Sequence, residues 1–445
     1  MTYNKHMPSF ILPLLSIVLG GLALGCLIGA FRALRRKRLI DDLPTSKTQG
    51  VFIGLVELKG TAEIEVPLNS YLAGVPCVQY TWQIDEHWSR TVHETYTDAQ
   101  GHTKTRTRTE SGWTKVAGGG QSIPFYLKDD TGIIRVVPEG ATIQGIKTYH
   151  ETCSPNSSLY FGKGPPNAIA NSTHQRRFHE TALPLHTVLY VMGQARERQD
   201  IVAAEIASDK SAPMFLISTR TEKQLSTSYN RWCWFWLVLG LCVAIGGALA
   251  WVMLEKFYTG LNWQPYVIAI GGFLFATILG WFWTVYNSLI NIHHRVEQGW
   301  SQVDVQLKRR HDLIPNLVRT VEGYRTYEID TQKLLAELRG QAEATPPGVT
   351  GPDFKGIGPM LRAISESYPE LKADESFLRL QQALVDAEQR IALARDYFND
   401  SATFYNTRLS IIPDRLVAAI AHLRPQTLMS AADFERAPVE VKLAP

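Results

Sequence analysis

Hydrophobic positions along this chain are segregated rather than evenly spread. Three stretches are almost wholly apolar: Phe10–Phe31, Cys233–Leu254 and Pro265–Ile290. At 1.5 Å per residue, a helix over 10–31 reaches ~33 Å, enough for the ~30 Å hydrocarbon layer of a bilayer. Core helices of globular domains rarely run so far without a charge, so the pattern predicts transmembrane helices at 10–31, 233–254 and 265–290. Trp232, Trp234, Trp236, Trp251, Trp281 and Trp283 fall near the ends of the second and third runs. Indole rings favour that headgroup level. Gly21, Gly25 and Gly29 repeat every four residues in the first run. Small residues so spaced make a candidate helix-packing face.

Between the first two runs the pattern changes to short alternating segments. Gly50–Gly60, Val78–Ile84, Thr187–Val191 and Met214–Ser218 read as strands, and Pro124–Pro138 reads as two strands about a turn at Asp130–Gly132. Many short strands with Gly/Pro turns predict a small barrel or sandwich over 32–230. Residues 88–120 break the alternation. There His102-Thr-Lys104-Thr-Arg106-Thr-Arg108-Thr places bases on one side and threonines on the other, the pattern of a solvated hairpin. Residues 153–177 read as a long loop.

After the third run, over 288–445, the period becomes helical. Val296, Trp300, Val303, Leu307, Ile314, Leu317, Val321, Tyr324, Thr331, Leu335 and Leu338 form one stripe. Phe377, Leu380, Leu384, Ala387, Ile391, Ala394, Phe398, Ser401 and Tyr405 form another. Both carry heptad, coiled-coil-like spacing and predict an antiparallel bundle of long helices, the first continuous with the third transmembrane helix. Pro315 removes a backbone donor inside that helix and predicts a kink near 311. A loop is expected at 342–359, and Pro369 and Pro413 punctuate the helices beyond it. The overall expectation is a membrane α+β protein with three spanning helices.

Charge orients it. Lys5 and His6 precede the first run, whereas Arg32, Arg35, Arg36, Lys37 and Arg38 follow it at once. The positive-inside rule puts the amino terminus outside and both folded regions in the cytoplasm. Arg220, Lys223 and Arg231 before the second run, and His293, His294 and Arg295 after the third, agree. A cleaved signal peptide would need a shorter apolar stretch and a basic cluster ahead of it. Net charge over the 445 residues is only +3, which gives no footing for nucleic-acid binding. The mean hydropathy of −0.09 is an average of apolar spans and polar domains.

Motifs for chemistry are absent from the sequence. There is no H-E-x-x-H, no phosphate-binding G-x-x-x-x-G-K-[ST] and no serine elbow. His293, His294 and Glu297 have helical spacing, but beside Arg295 at a membrane boundary they suit headgroups better than a metal. No catalytic residue, cofactor or metal site is expected. Asp304 and Lys308 form an i,i+4 pair of the favourable sense. With Trp300, Val303, Leu307, Arg310 and Leu317 they make up a candidate assembly face between chains.

Two stretches resemble known families. Gly50-Val-Phe-Ile-Gly-Leu-Val-Glu-Leu-Lys-Gly-Thr-Ala, Pro67-Leu, Pro76-Cys77-Val78, Pro124-Phe-Tyr-Leu-Lys-Asp-Asp-Thr-Gly and Phe215-Leu-Ile-Ser-Thr-Arg resemble the GIDE-type membrane-adjacent domain over about 45–225. That domain occurs in a mitochondrial E3 ubiquitin ligase. The ligase's activity resides in a RING, which needs about eight Cys/His ligands on two zinc ions. This chain has five cysteines. Cys26, Cys233 and Cys242 lie in apolar runs, Cys77 and Cys153 are far apart, and no C-x-x-C occurs. The resemblance therefore implies the domain without the ligase.

The second stretch is similar to the LemA family over about 285–445. It carries Asn287-Ser-Leu-Ile, Val296-Glu-Gln-Gly-Trp-Ser-Gln-Val-Asp-Val-Gln-Leu-Lys-Arg-Arg-His-Asp-Leu-Ile-Pro-Asn-Leu-Val318 and Val321-Glu-Gly-Tyr324. It also carries Ser367-Tyr-Pro369-Glu-Leu-Lys, Arg390-Ile-Ala-Leu-Ala-Arg395, Tyr397-Phe-Asn399 and Tyr405-Asn-Thr-Arg408. The resemblance implies an antiparallel helical bundle on a membrane anchor, with associations to envelope stress and membrane proteolysis. The expected function is a non-enzymatic scaffold or adaptor in the bacterial inner membrane. It would be homo-oligomeric, with the lipid bilayer, itself and a membrane protease or other envelope proteins as partners. The alternative is a ligase-like enzyme or a catalytic subunit of a membrane protease complex.

Overall fold

The structure is a computed structural model that describes residues 11–97, 103–198, 203–210, 212–255, 263–323 and 375–429. Helix α1 (Ile11–Asp41) leads into a β-rich stretch that contains the short helix α2 (Ser158–Gly162). Helices α3 (Glu222–Glu255), α4 (Gln264–Gly323), α5 (Glu375–Ser410) and α6 (Asp414–Ile420) follow. The chain divides into two compact units. One is Thr45–Thr221; the other joins the segment before it to the chain from Glu222 onward.

In the β unit the strands are β1 (Thr45–Ser46), β2 (Gly54–Glu63), β3 (Leu68–Asn69), β4 (Pro76–Thr97), β5 (Thr103–Ser122), β6 (Phe125–Lys128) and β7 (Ile133–Val136). They continue with β8 (Thr142–Gln144), β9 (Ile146–Cys153), β10 (Ser172–Pro184), β11 (Val188–Glu197), β12 (Ala204–Ala207) and β13 (Leu216–Ser218). Strands β2, β6, β7, β12 and β11 pair in that order, and β11 returns to β2, so the sheet closes into a five-stranded barrel. Closure removes the free edges an open sheet would present. Alternate residues point inward. Val56 and Leu58, Phe125 and Leu127, Ile134 and Val136, and Leu189 and Val191 fill the interior. A second sheet runs β3-β4-β10-β9, with β5 also on β4.

Two local expectations change and a third holds. The strand expected at 50–60 begins at Gly54 as β2, preceded by the short β1 and by a 3-10 turn at Thr48–Gly50 that Asp129 pins. The stretch 88–120 is the expected solvated hairpin, and it extends the second sheet: β4 and β5 pair from Gln79↔Ser122 out to Thr97↔Thr103. The loop at 153–177 contains α2 and gives way to β10 at Ser172.

In the helical unit, three helices are long and apolar enough to cross a membrane. They extend beyond the apolar runs, α1 through its basic cluster and α3 from Glu222, so the β unit occupies less chain than 32–230. Close packing falls at glycines. A Cβ on Gly240 would sit 2.9 Å from the Phe273 ring and 3.0 Å from Cys26 Cβ, and one on Gly280 would sit 2.2 Å from Phe31. These contacts draw α1, α3 and α4 together.

Helix α4 is a single 60-residue helix that continues past Pro315 to Gly323. Helix α5 packs antiparallel on it. Trp300 meets Phe398 edge-on at 5.7 Å, His293 meets Tyr405, and Arg310 binds Glu388 at 3.2 Å. The two heptad stripes face each other in this pair: Val296, Val303 and Leu307 are buried, as are Leu384, Ala387, Ile391, Ala394, Phe398, Ser401 and Tyr405. The side chains of Ile314, Leu317, Val321 and Phe377 lie outside the described residues, as do Tyr324, Thr331, Leu335, Leu338, the loop expected at 342–359 and Pro369.

Candidate functional site

Polar residues converge where α1, α4, α5 and α6 meet. Arg38 and Asp42 lie four positions apart, on one side of the end of α1. Ser288 faces them from α4, Arg408 from the last turn of α5 and Asp414 from the first turn of α6. An acid suits the positive end of α6, and a base suits the negative end of α5.

The bonds close on themselves. Arg38 reaches both Asp414 oxygens, at 3.0 Å and 3.2 Å, as a fork. Arg408 donates to Asp414 at 3.1 Å and to Asp42 at 2.5 Å. Ser288 donates its hydroxyl to the other Asp42 oxygen, and Arg295 donates to the Asp42 carbonyl at 3.2 Å. Arg38, Asp42, Ser288 and Asp414 are all buried. Two guanidiniums are thereby matched to two carboxylates, which satisfies the main requirement for burying charge.

Burial is the largest influence on Asp42 and pushes its carboxyl up, with Arg408, Ser288 and Arg38 pulling it part of the way back. At Arg408 burial acts downward, but Asp42 and Asp414 outweigh it and raise the pKa.

An apolar floor supports this cluster. Val285 and Leu289 of α4 pack with Val417 and Ala418 of α6, flanked by Trp281, Phe282, Leu409 and Leu423. Beyond α6 the chain is strapped back onto α5. Asn406 exchanges two hydrogen bonds with the main chain of Gln426, each 2.8 Å, and Asn399 does the same with Met429 at 2.9 Å and 3.2 Å. These asparagines are seven positions apart, so they lie on one side of α5.

Of the residues expected at an assembly face, Trp300, Val303, Leu307 and Arg310 make contacts within the chain, and the side chain of Leu317 lies outside the described residues. Val303 and Leu307 are buried against α5 of the same chain, Trp300 meets Phe398 edge-on, and Arg310 is paired with Glu388. That face is occupied within one chain. Lys308 is exposed, and among the described residues it makes no bond to Asp304, whose Oδ1 is buried without a partner. Gly29 packs beneath the Trp236 ring, whereas Cβ atoms on Gly21 or Gly25 would meet open space. Both histidines at 293–294 engage Glu297, at 3.5 Å and 3.0 Å.

Sequence reasoning misses the cluster because its signals are spent elsewhere. Arg38 reads as one of five bases setting orientation. Arg408 and Asn406 stand only within a family motif. Asp414 follows Pro413, a helix-start signal that says nothing of a partner on α1.

The β unit has its own buried ion pair. Arg176 donates twice to Glu86 at 3.1 Å and also reaches the carbonyls of Tyr160, Pro165 and Asn167, with the Tyr160 ring 4.0 Å away. This pins the segment between β9 and β10. All five cysteines are free thiols; Cys26, Cys77, Cys153 and Cys233 are buried. Among the described residues, no three His, Cys, Asp or Glu side chains gather at metal-ligand spacing.

Comparison with known proteins places two family regions on this chain. The LemA family model matches residues 299–443, and the GIDE model, described as E3 ubiquitin ligase, matches 93–252. The chain thus carries a LemA region in its helical unit and a GIDE region that spans part of the β unit and most of α3. Protein LemA of Metamycoplasma hominis is 23% identical over 175 residues, covering 37% of this chain and 80% of that protein. Magnetosome protein MamQ of Magnetospirillum gryphiswaldense is 26% identical over 165 residues, which is 30% of this chain and 61% of MamQ. MamQ 2 of Paramagnetospirillum magneticum is 23% identical over a match of the same extent. The match therefore spans about three fifths of the MamQ proteins. No solved structure matches.

Proposed function

We propose that this chain is a non-enzymatic integral membrane scaffold of the bacterial inner membrane, with its amino terminus outside and both folded units in the cytoplasm. The observation that carries the reading is the closed cluster of Arg38, Asp42, Arg408 and Asp414. Its charges are matched to one another and joined to helix ends, which is the arrangement of a brace rather than of a reacting centre. It ties the first apolar helix to the carboxyl-terminal segment and holds the α4–α5 pair upright as a stalk. The likeness to LemA and MamQ proteins points the same way.

In this reading the stalk and the β unit offer surfaces on which envelope proteins, a membrane protease among them, are organised. Since the Val303–Leu307 face is occupied within the chain, self-assembly uses the open Gly21–Gly25 side of α1, where helix backbones can approach closely. The test is particle size and bound-metal content of the full chain after detergent extraction. A multi-subunit particle without stoichiometric zinc or nucleotide is the expected result. A monomer carrying either one overturns the scaffold and favours an enzyme.

The description attached to the GIDE model keeps a ligase-like reading in view. It predicts ubiquitin-chain formation by the purified chain with an activating and a conjugating enzyme. The scaffold reading predicts none.

A further inference from the structure

Helix α6 has two apolar faces, and only one of them is covered. Val417 and Ala418 pack on Val285 and Leu289 of α4. On the opposite side Leu416 and Ile420, one helical turn apart, are 60% and 66% exposed, and Ile412, in the turn just before the helix, is 72% exposed. Neighbouring Ile411 is exposed as well. Isolated exposed aliphatics are ordinary; a row of them on one short helix and the turn that leads into it marks an interaction surface.

The level of this stripe identifies its occupant. Phe31 is the last apolar residue of the first run, and Arg32 follows it. The Phe31 ring sits against Gly280, so Gly280 marks the same depth on α4. Val285 then lies about 7 Å further along the helix axis. The headgroup layer is about 5–8 Å thick on each side of the hydrocarbon, so the floor beneath α6 falls at headgroup level. Leu423, just after α6, packs against the same floor, as Trp281 and Phe282 do from α4. The stripe is continuous in level with exposed Trp283 and Tyr286 of α4, and exposed Arg415, His422 and Arg424 surround it. Aliphatic residues flanked by bases are what an anionic bilayer surface takes up.

We infer that α6 is an interfacial helix, with Ile412, Leu416 and Ile420 seated in the headgroup–acyl boundary of the membrane that α1, α3 and α4 cross. The bilayer thereby completes the burial of α6, and the Arg38–Asp414 fork fixes the depth at which it lies. The inference rests on the membrane-spanning reading above.

The test uses the full chain with Cys242→Ser, reconstituted in vesicles of phosphatidylethanolamine and phosphatidylglycerol. Nitroxide labels are placed singly at Leu416→Cys, at Ile278→Cys on the exposed apolar side of α4 and at Arg379→Cys on the exposed side of α5. Collision with oxygen, which partitions into lipid, is compared with collision with a water-soluble nickel chelate. The expected result is an oxygen-to-nickel ratio at Leu416→Cys about threefold or more above that at Arg379→Cys, approaching that of Ile278→Cys. A water-like ratio at Leu416→Cys with a lipid-like ratio at Ile278→Cys overturns the interfacial helix and leaves the spanning helices standing. Low accessibility to both reagents at Leu416→Cys also overturns it, since a second copy then covers the stripe. A water-like ratio at Ile278→Cys overturns the spanning reading itself.

Discussion

In the β unit, Glu86 and Arg176 form their buried ion pair as direct neighbours across the β4–β10 ladder, where backbone pairing has already set them side by side. In the helical unit, Arg38 and Asp414 meet across 376 positions of chain, and no ladder brings them together. The first pair finishes a surface that the barrel and sheet have largely built. The second is itself part of what builds the unit, since α6 has little else to hold it besides the Val285–Leu289 floor. Burying charge costs several kcal/mol per ion unless partners are in place. The β unit meets that requirement locally, whereas the helical unit meets it only when α1, α4, α5 and α6 are all assembled.

Mutations that strand one ion should show this most strongly. Arg176→Ala leaves Glu86 buried and unpaired and frees three carbonyls, so a loss of about 3–5 kcal/mol is expected. Limited proteolysis should then cut the segment between β9 and β10 while the helical unit stays resistant. Asp414→Ala strands Arg38 and removes one of the two carboxylates from Arg408, with a comparable loss of about 3–4 kcal/mol. Here release should appear as protease cleavage around residues 411–429 with the β unit intact. If the two substitutions expose the same fragments, the two units are not independently stabilised and the contrast fails.

Smaller effects sharpen the comparison. Gly280→Leu forces a side chain into the Phe31 ring and should cost roughly 1–3 kcal/mol, read as a lower unfolding temperature in detergent. In the β unit, burial pushes the Asp129 carboxyl up, but donors from Thr48 and Thr131 prevail and hold it at about 2, below the ordinary 3.8. A depressed carboxyl stabilises the fold above its unfolded pKa, and that contribution is lost as pH falls through the folded value. The β unit should therefore weaken between about pH 4 and pH 2, by about 1 kcal/mol from this group after allowing for its partial exposure. Asp129→Asn should flatten that part of the pH profile. An unchanged acid slope would remove Asp129 from the account. Lys308→Ala should change stability by less than about 0.5 kcal/mol, since Lys308 is exposed and unpaired with Asp304.

Legibility in the sequence differed between the units in the same way as their burial of charge. The turn at Asp130–Gly132 was readable because a β-hairpin is local, and β6 and β7 stand on either side of it. Strand β12 was not: it is four residues long, pairs antiparallel with β11 just before it and parallel with β7 far back in the chain, and so short a run carries little pattern of its own. The span at 88–120 read as a solvated hairpin because its threonines and bases alternate without a buried face. Backbone pairing along β4 and β5 holds it as strand regardless of side-chain pattern. The stripes on α4 and α5 were legible as helical periods, but the pattern is the same whether a partner helix lies in the same chain or another. Only the structure assigned Val303 and Leu307 to a contact within the chain.

By itself the sequence determined where apolar length accumulates, where the period switches from two to heptad spacing and which family motifs are present. These are properties of neighbouring residues, and local steric and hydrophobic rules act on them directly. The tertiary structure alone decided that β2 and β11 close a barrel, that Gly280 rather than Gly21 receives a neighbouring ring, and that Arg38, Asp42, Arg408 and Asp414 form one cluster. Each of those is a meeting of residues distant in the chain. A charge in the sequence carries its sign but not its partner, and only packing four helices together brings two acids and two bases within hydrogen-bond reach.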